Sequence, residues 1–167
     1  MSPDNNPVNI ELTTNQHDFS ACAQIMIATD PWITLKIDYD QCSKAFEGSF
    51  REVFVLKNEK DIIGFVIMQP QGTFKGYIQT LAIDQNYRGK GYGTLLLRFC
   101  EDRILTYSAN IFICVSSFNH DAIRLYTKFG FERIGELKDF IKPGFDELLL
   151  RKTIGPVTGY LPGSSIK

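Results

Sequence analysis

Residues 81–94 read Leu81-Ala82-Ile83-Asp84-Gln85-Asn86-Tyr87-Arg88-Gly89-Lys90-Gly91-Tyr92-Gly93-Thr94, an apolar strand followed by a loop with three glycines at alternate positions. An amphipathic helix is predicted directly after it, over residues 91–107. Glycine lets backbone amides approach a ligand closely. The start of a helix adds unpaired N–H groups and the positive end of the helix dipole. The stretch therefore predicts a cradle for a phosphate or pyrophosphate, with Arg88 and Lys90 adding positive charge at its rim.

Two well-known phosphate-binding motifs do not fit this loop. A Walker loop requires a lysine followed by serine or threonine after its last glycine, and this loop has none. A dinucleotide-binding fingerprint requires a third glycine where Thr94 stands. A plain tight turn between strand and helix is the remaining alternative, although a turn needs one glycine rather than three.

The elements predicted around the loop are arranged as a layered domain. Before it we expect a strand over 8–12, a helix that begins at Asp18 and ends before Pro31, a short helix over 39–46, and antiparallel strands over 52–57, 62–69 and 74–83. After it we expect a buried strand over 110–115, a helix over 119–129, and strands over 131–137 and 147–152. This order predicts a single α/β (α+β) domain over residues 1–153 and an irregular tail over 154–167.

The composition excludes several classes of protein. The chain has 167 residues, 44% of them hydrophobic, and a net charge of −1, so we expect one compact domain without a nucleic-acid or membrane partner. It shows neither a signal-peptide pattern nor an apolar run long enough to span a bilayer, which predicts a cytoplasmic protein. The four cysteines are far apart, so we expect reduced thiols and no metal site.

Two motifs together resemble the GNAT superfamily of N-acetyltransferases. Arg88-Gly89-Lys90-Gly91-Tyr92-Gly93 matches its [QR]-x-x-G-x-[GA] motif. Asn119, Ala122, Leu125-Tyr126, Lys128 and Gly130-Phe131 are similar to its N-x-x-A-x-x-L-Y-x-K-x-G-F segment, in family order and at family spacing. The resemblance covers residues 8–152 and implies a central mixed, mostly antiparallel sheet of about seven strands flanked by about four helices.

The resemblance also implies a cofactor, acetyl-CoA, and the residues that hold it. The backbone of Leu81, Ala82 and Ile83 would bind the pantetheine arm. Backbone amides would bind the pyrophosphate, with Arg88 and Lys90 assisting, from the residues Gly89, Lys90, Gly91, Tyr92, Gly93 and Thr94. Asn119 would contact the cofactor, although it is also a predicted helix N-cap. Tyr126 would lie near the thioester sulfur and protonate the leaving thiolate; its alternative role is that of a core aromatic.

The resemblance implies direct attack of an amine on the thioester, but it leaves the general base open. Cys114 stands where ribosomal-protein N-terminal acetyltransferases of the family carry a glutamate, and Gln79 stands where several relatives do. The candidate bases are Asp30, Asp38, Asp40 or an ordered water chain. Each of these aspartates could equally be a helix cap or a solvated charge.

The acceptor is equally open, and a small-molecule amine and a peptide amine both fit. In the family the acceptor site is built from the first helices and the last two strands. That would place there the aromatics Trp32, Phe140 and Phe145 and the acids Asp38, Asp40, Glu136 and Asp139. A homodimer is possible through the C-terminal strands. The alternatives to an enzyme are a non-catalytic CoA-binding sensor domain and a different phosphate-binding module, in which the Asn119–Tyr126 segment would have no role.

Overall fold

The computed structural model describes residues 7–59 and 61–163. Within them the chain forms seven strands, five α-helices and two short 3-10 helices. These are β1 (Asn9–Leu12), α1 (Gln16–Ile27), α2 (Trp32–Leu35), α3 (Tyr39–Ser43), a 3-10 helix (Lys44–Phe46), β2 (Glu52–Lys57), β3 (Ile62–Gln69), β4 (Tyr77–Ile83), a 3-10 helix (Gln85–Tyr87), α4 (Tyr92–Ile104), β5 (Asn110–Ser116), α5 (His120–Phe129), β6 (Glu132–Lys142) and β7 (Phe145–Thr153).

The strands form one mixed sheet in the order β1-β2-β3-β4-β5-β7-β6. β4 and β5 are parallel, as a strand–helix–strand crossover requires, whereas β1–β2, β2–β3, β5–β7 and β6–β7 are antiparallel. The predicted fold class is therefore confirmed. Residue contacts divide the chain into two units: a first unit of residues up to Met68 with Thr80–Leu96, and a second of Gln69–Gln79 with residues from Leu97 onward.

The core of the first unit lies between α1 and the two central strands of that unit. β2 contributes Val53 and Val55, β3 contributes Phe65 and Ile67, and the buried face of α1 consists of Cys22, Ala23, Ile25 and Met26. The β-branched residues suit the pleated surface of the strands, and the apolar stripe of α1 covers them.

The predicted start of α1 at Asp18 is wrong. The N-cap is Asn15, whose side chain accepts a hydrogen bond from the His17 backbone N–H at 2.8 Å. Asp18 lies in the first turn and accepts instead from the Thr13 hydroxyl at 2.7 Å and the Lys57 ammonium at 3.3 Å. Asparagine and aspartate are equally good caps in sequence, so the cap pattern alone did not distinguish Asn15 from Asp18.

The second unit contains α4 from Leu97 onward, α5, and the strands β5, β6 and β7. Its buried residues include Ile111, Ile113 and Val115 of β5 and Cys100 and Ile104 of α4. Gly76, before β4, lies so close to the Asn110 carbonyl oxygen and the Ile104 side chain that a Cβ would collide with both. A side chain would therefore not fit at this position without a shift of the backbone.

Several other elements differ from the predictions. β4 begins at Tyr77 rather than Phe74, and Phe74 instead packs edge-on against Phe112 at 5.1 Å. β6 extends to Lys142, beyond the predicted end at Leu137, because its hairpin with β7 closes only at the Lys142–Phe145 pair. The short helix α2 was not predicted.

No helix in the described part of the chain combines the length and the apolar character that crossing a membrane requires.

Candidate active site

The glycine loop adopts the backbone conformation that only glycine takes readily. Gly89 has φ +74° and Gly91 has φ +82°, both in the left-handed region. A Cβ added at either position would meet no atom within 4 Å, so open space lies beside both residues. The loop thus offers backbone that a ligand can approach closely.

Side chains on either side of the loop hold its shape. Arg88 Nε donates a hydrogen bond to the Ile83 carbonyl at 3.2 Å, which ties the loop to the end of β4. Asp84 caps the following 3-10 helix by accepting from the Asn86 N–H at 2.8 Å. The Lys90 ammonium lies 5.5 Å from the centre of the Tyr87 ring. Arg88 therefore has a structural role in addition to the charge predicted for it.

The loop leads directly into α4. The Leu95 N–H donates to the Gly91 carbonyl at 3.0 Å, so helical hydrogen bonding begins at the last positive-φ glycine. The first N–H groups of a helix have no partner within the helix and carry the positive end of its dipole. Tyr92 is buried at this point and lies 6.5 Å from the Tyr87 ring, while Gly93 and Thr94 are half-buried. These features fit an anionic group such as a pyrophosphate.

The end of β4 has its side chains engaged in packing. Ala82 and Ile83 are buried, and Leu81 is half-buried. A Cβ on Gly64 of β3 would lie 2.9 Å from the Ala82 carbonyl oxygen, so glycine is needed for the two strands to approach each other. The side chains of residues 81–83 are therefore largely occupied in packing, and their role toward a cofactor stays a prediction.

Asn119 and Tyr126 belong to the second unit, whereas residues 81–94 belong to the first. Asn119 is the N-cap of α5, as predicted, and its side chain accepts a hydrogen bond from the Ala122 N–H at 3.3 Å.

Tyr126 is buried, with the centre of its ring 6.0 Å from that of Phe131. Burial raises the pKa of the Tyr126 hydroxyl, with smaller contributions from Cys100 and Glu147. The hydroxyl is therefore protonated at neutral pH, as a general acid must be.

The aspartates that were considered as bases have other roles. Asp38 is the N-cap of α3 and forms a capping box with Gln41. Asp30 accepts hydrogen bonds from the Thr34 N–H at 3.1 Å and hydroxyl at 2.7 Å. Asp40 is exposed in the first turn of α3, where a negative charge suits the helix dipole. Their positions support the capping alternative.

The two positions where relatives carry glutamate hold neutral groups. The Gln79 side chain accepts a hydrogen bond from Gln69 Nε2 at 2.8 Å. Cys114 is half-buried and forms a side-chain hydrogen bond with Tyr77. Burial raises the pKa of the Cys114 thiol, the hydrogen bond with Tyr77 opposes this, and Glu147 adds to the rise. At neutral pH Cys114 is thus a thiol rather than a thiolate.

Sequence reasoning missed a buried carboxyl group beside Cys114. Glu147, near the start of β7, has an exposed fraction of only 3%, and its Oε1 accepts a hydrogen bond from the Ser116 hydroxyl. Burial raises the pKa of Glu147, and the hydrogen bond from Ser116 opposes the rise. The available signal was a charged residue at the head of the apolar run Leu148-Leu149-Leu150.

The aromatic and acidic residues predicted for the acceptor site are distributed over both units. Trp32 packs against the core of the first unit, whereas Phe140 and Phe145 belong to the second. Phe145 lies 5.6 Å from Phe118, and Phe140 is exposed. In the β6–β7 hairpin, Glu136 pairs with Arg133 at 2.6 Å and Asp139 accepts from the Gly144 N–H at 2.6 Å.

Comparison with known proteins identifies relatives over most of the chain. An uncharacterised protein of Mycobacterium leprae is 28% identical over 160 residues, which cover 91% of this chain and 42% of that protein. The N-alpha-acetyltransferase RimI of Mycobacterium tuberculosis is 25% identical over 165 residues, covering 93% of this chain and 98% of that protein. The ribosomal-protein-alanine N-acetyltransferase of Escherichia coli shares the fold, with a TM-score of 0.72, 20% identity, and coverage of 93% of this chain and 99% of that one.

The model of the acetyltransferase (GNAT) family matches residues 16–131, more than half of the chain and the part that holds both motifs. The enzyme class predicted from those motifs is confirmed by this match. The chain thus belongs to the acetyltransferase (GNAT) family.

Proposed function

We propose that the chain transfers an acetyl group from acetyl-CoA to a primary amine by direct attack of the amine on the thioester. The observation that carries this proposal is the glycine loop, with two positive-φ glycines beside open space at the start of α4. Gly72 and Gly144 also have positive φ beside open space, but Gly89 and Gly91 lie directly before α4 with Arg88 and Lys90 beside them.

Within this proposal each part of the loop binds a different part of the cofactor. Backbone N–H groups from Gly89 to Thr94 hold the pyrophosphate, and Arg88 and Lys90 add positive charge. The backbone of residues 81–83 holds the pantetheine arm, which is consistent with side chains that are occupied in packing. Asn119 contacts the cofactor in addition to capping α5. When bound, acetyl-CoA supplies a thioester that a neutral amine can attack.

The catalytic contribution of the chain is positioning and proton transfer. Holding both reactants makes the step effectively intramolecular. Tyr126 donates a proton to the departing thiolate. Because burial raises the pKa of its hydroxyl, the hydroxyl is protonated and able to donate. The raised pKa also makes it a weak acid, so its own proton must be replaced during the same step.

We infer that the α-amine of a peptide is the first acceptor class to test. The Mycobacterium tuberculosis relative, similar along nearly its whole length, is named an N-alpha-acetyltransferase. A non-catalytic CoA-binding domain is the second candidate, and the neutral residues Gln79 and Cys114 favour it. A cytoplasmic location and a homodimer stay predictions from the sequence.

The test is calorimetric titration with acetyl-CoA, followed in the same sample by measurement of thiol release with a panel of amines. The panel contains peptides with free α-amines, a peptide with only a lysine side-chain amine, an aminoglycoside and small alkylamines. Binding with thiol release for one class supports the enzyme and names its acceptor. Binding without release from any class favours the non-catalytic domain, and no binding refutes the assignment of the glycine loop.

A further inference from the structure

A buried polar cluster lies in the second unit, on one face of the sheet. Successive side chains of a strand alternate between faces, so Phe112, Cys114 and Ser116 of β5 share a face. The cross-strand pairs Ser116–Glu147 and Tyr77–Phe112 place Glu147 and Tyr77 on that same face. We name Tyr77, Cys114, Ser116 and Glu147 the Glu147 cluster.

Glu147 is a costly residue at its position. Its side chain is almost wholly buried, and in the described part of the chain no lysine, arginine or histidine forms an ion pair with it. A buried carboxylate without a cationic partner destabilises the fold. A glutamine would keep the hydrogen bond from Ser116 without that cost. Groups retained at such a cost are concentrated at functional sites.

Packing does not explain the carboxyl group either. The residue opposite Glu147 on β6 is Leu137, which offers it no hydrogen bond through its side chain. The next residue on the same face of β7, Leu149, pairs with Cys114. Glu147 therefore brings a proton acceptor beside Cys114, the position whose own side chain cannot serve as one at neutral pH.

We propose that Glu147 is the general base, which takes a proton from the acceptor amine before it attacks the thioester. This inference rests on the proposed function, since it assigns a role in that same reaction. This carboxylate lies on β7, where Glu147 pairs with Ser116. The two positions at which relatives carry a glutamate, Gln79 and Cys114, lie instead on β4 and β5. Ser116 holds the carboxyl group in place as a positioning residue.

The protons balance as follows. An ammonium acceptor gives one proton to the Glu147 carboxylate, which later releases it to solvent. The amine nitrogen forms a bond to the carbonyl carbon as the C–S bond breaks, and the nitrogen then loses its second proton. Tyr126 gives its proton to the thiolate and is reprotonated by this second proton from the nitrogen. The products are the N-acetyl amine, CoA thiol and one solvent proton.

The groups around Glu147 suit a base that is active near neutral pH. They are Tyr77 on β4, Cys114 on β5 and Tyr126 on α5. Asp146, the neighbour of Glu147 on β7, lies on the opposite face of the strand and accepts a hydrogen bond from the Asp139 N–H at 3.1 Å. Burial raises the pKa of each of the two tyrosines and of Cys114, so all three are neutral at this pH. A base works best when its pKa lies near the working pH, and the burial of Glu147 moves its pKa in that direction.

The experiment compares the full chain with Glu147→Gln and with a matched control, Glu132→Gln, which makes the same change at an exposed residue of β6. We expect kcat/KM of Glu147→Gln to fall about 100-fold near neutral pH. The deficit should shrink toward the pKa of the amine, because more acceptor then arrives deprotonated. Acetyl-CoA affinity should be unchanged, and without cofactor the variant should unfold at no lower temperature than wild type. Glu132→Gln should match wild type in all respects.

Two results would overturn the assignment of Glu147 while leaving the proposed function intact. One is a Glu147→Gln variant with the turnover and pH profile of wild type. The other is a variant that unfolds at a lower temperature than wild type at every pH, which would make the carboxyl group structural. If wild type itself transfers no acetyl group to any amine, the proposed function is refuted and the role of Glu147 with it.

Discussion

The glycine loop and the Glu147 cluster are built in opposite ways. The loop presents backbone beside open space, and its conformation depends on residues that are adjacent in sequence. The cluster consists of side chains from β4, β5 and β7, and the pair Ser116–Glu147 joins residues 31 positions apart. A site made of backbone leaves a motif in the sequence, whereas a site made by strand register does not.

The same contrast separates the two kinds of work that we propose. The loop binds, which requires many weak donors and tolerates exposure to water. The cluster transfers protons, which requires groups with shifted pKa values and therefore burial. A change in the loop should thus alter affinity, and a change in the cluster should alter turnover.

Gly91→Glu should have the largest effect. The new side chain needs an unfavourable backbone conformation, since Gly91 has φ +82°. It also places a negative charge where we expect the pyrophosphate. We expect acetyl-CoA affinity to fall at least about 100-fold, which corresponds to about 2.7 kcal/mol, as measured by calorimetry.

Gly72→Glu is the matched control for that variant. Gly72 has φ +92°, and a Cβ there would also meet no atom within 4 Å. Both variants therefore carry similar backbone strain, but only one lies in the loop. Equal affinity of Gly91→Glu and wild type would refute the loop assignment, and equal losses in both variants would show a general effect on folding.

Tyr126→Phe should lower turnover while affinity stays nearly constant. The ring of Tyr126 packs against Phe131, and phenylalanine preserves that contact. Removal of a general acid typically lowers the rate about 100-fold. Steady-state kinetics with the acceptor found in the panel would measure kcat, and calorimetry would measure affinity for acetyl-CoA.

Tyr160→Phe supplies the control for Tyr126→Phe. The Tyr160 hydroxyl donates to the Leu105 carbonyl at 2.5 Å, so its loss should cost about 1 kcal/mol of stability without changing kcat. A Tyr126→Phe enzyme with the kcat of wild type would show that Tyr126 only packs and that the thiolate takes its proton from solvent.

The sequence predicted the features that depend on neighbouring residues and missed those that depend on contacts between distant residues. The strand, loop and helix of residues 81–94 were predicted because their signals are adjacent. The start of α1 was misplaced because Asp18 has the sequence pattern of a helix cap, whereas its carboxylate accepts a hydrogen bond from Lys57, which is 39 residues away. Glu147 was missed because its burial depends on the register of β7 against β5, and register leaves no signal within either strand.

Stability against pH offers a smaller test of the Glu147 cluster. Burial raises the pKa of Glu147 in the folded chain above its unfolded value. Such a carboxyl group contributes stability below its unfolded pKa, and this contribution is lost as pH rises through the folded pKa. We therefore expect Glu147→Gln to gain a few degrees in Tm over wild type near neutral pH, a difference of order 1 kcal/mol.

The gain should vanish at acidic pH, where the carboxyl group is protonated in both states. Thermal unfolding followed by circular dichroism, from about pH 4 to about pH 8, measures it. For Glu132→Gln the difference from wild type should not change across this range. A Glu147→Gln difference that was equally flat would mean that the carboxyl group is well solvated and that the cluster is not a low-dielectric site.

The two cations of the loop should show the smallest effects, and they differ in kind. Lys90 contributes charge near the surface, so Lys90→Ala should weaken acetyl-CoA binding only about two- to five-fold, and added salt should reduce the difference from wild type. Arg88→Ala removes charge and also the hydrogen bond to the Ile83 carbonyl. Its loss of affinity should therefore be larger and should persist in salt. If both variants lost the same affinity and recovered it equally in salt, the bond between Arg88 and β4 would have no part in shaping the loop.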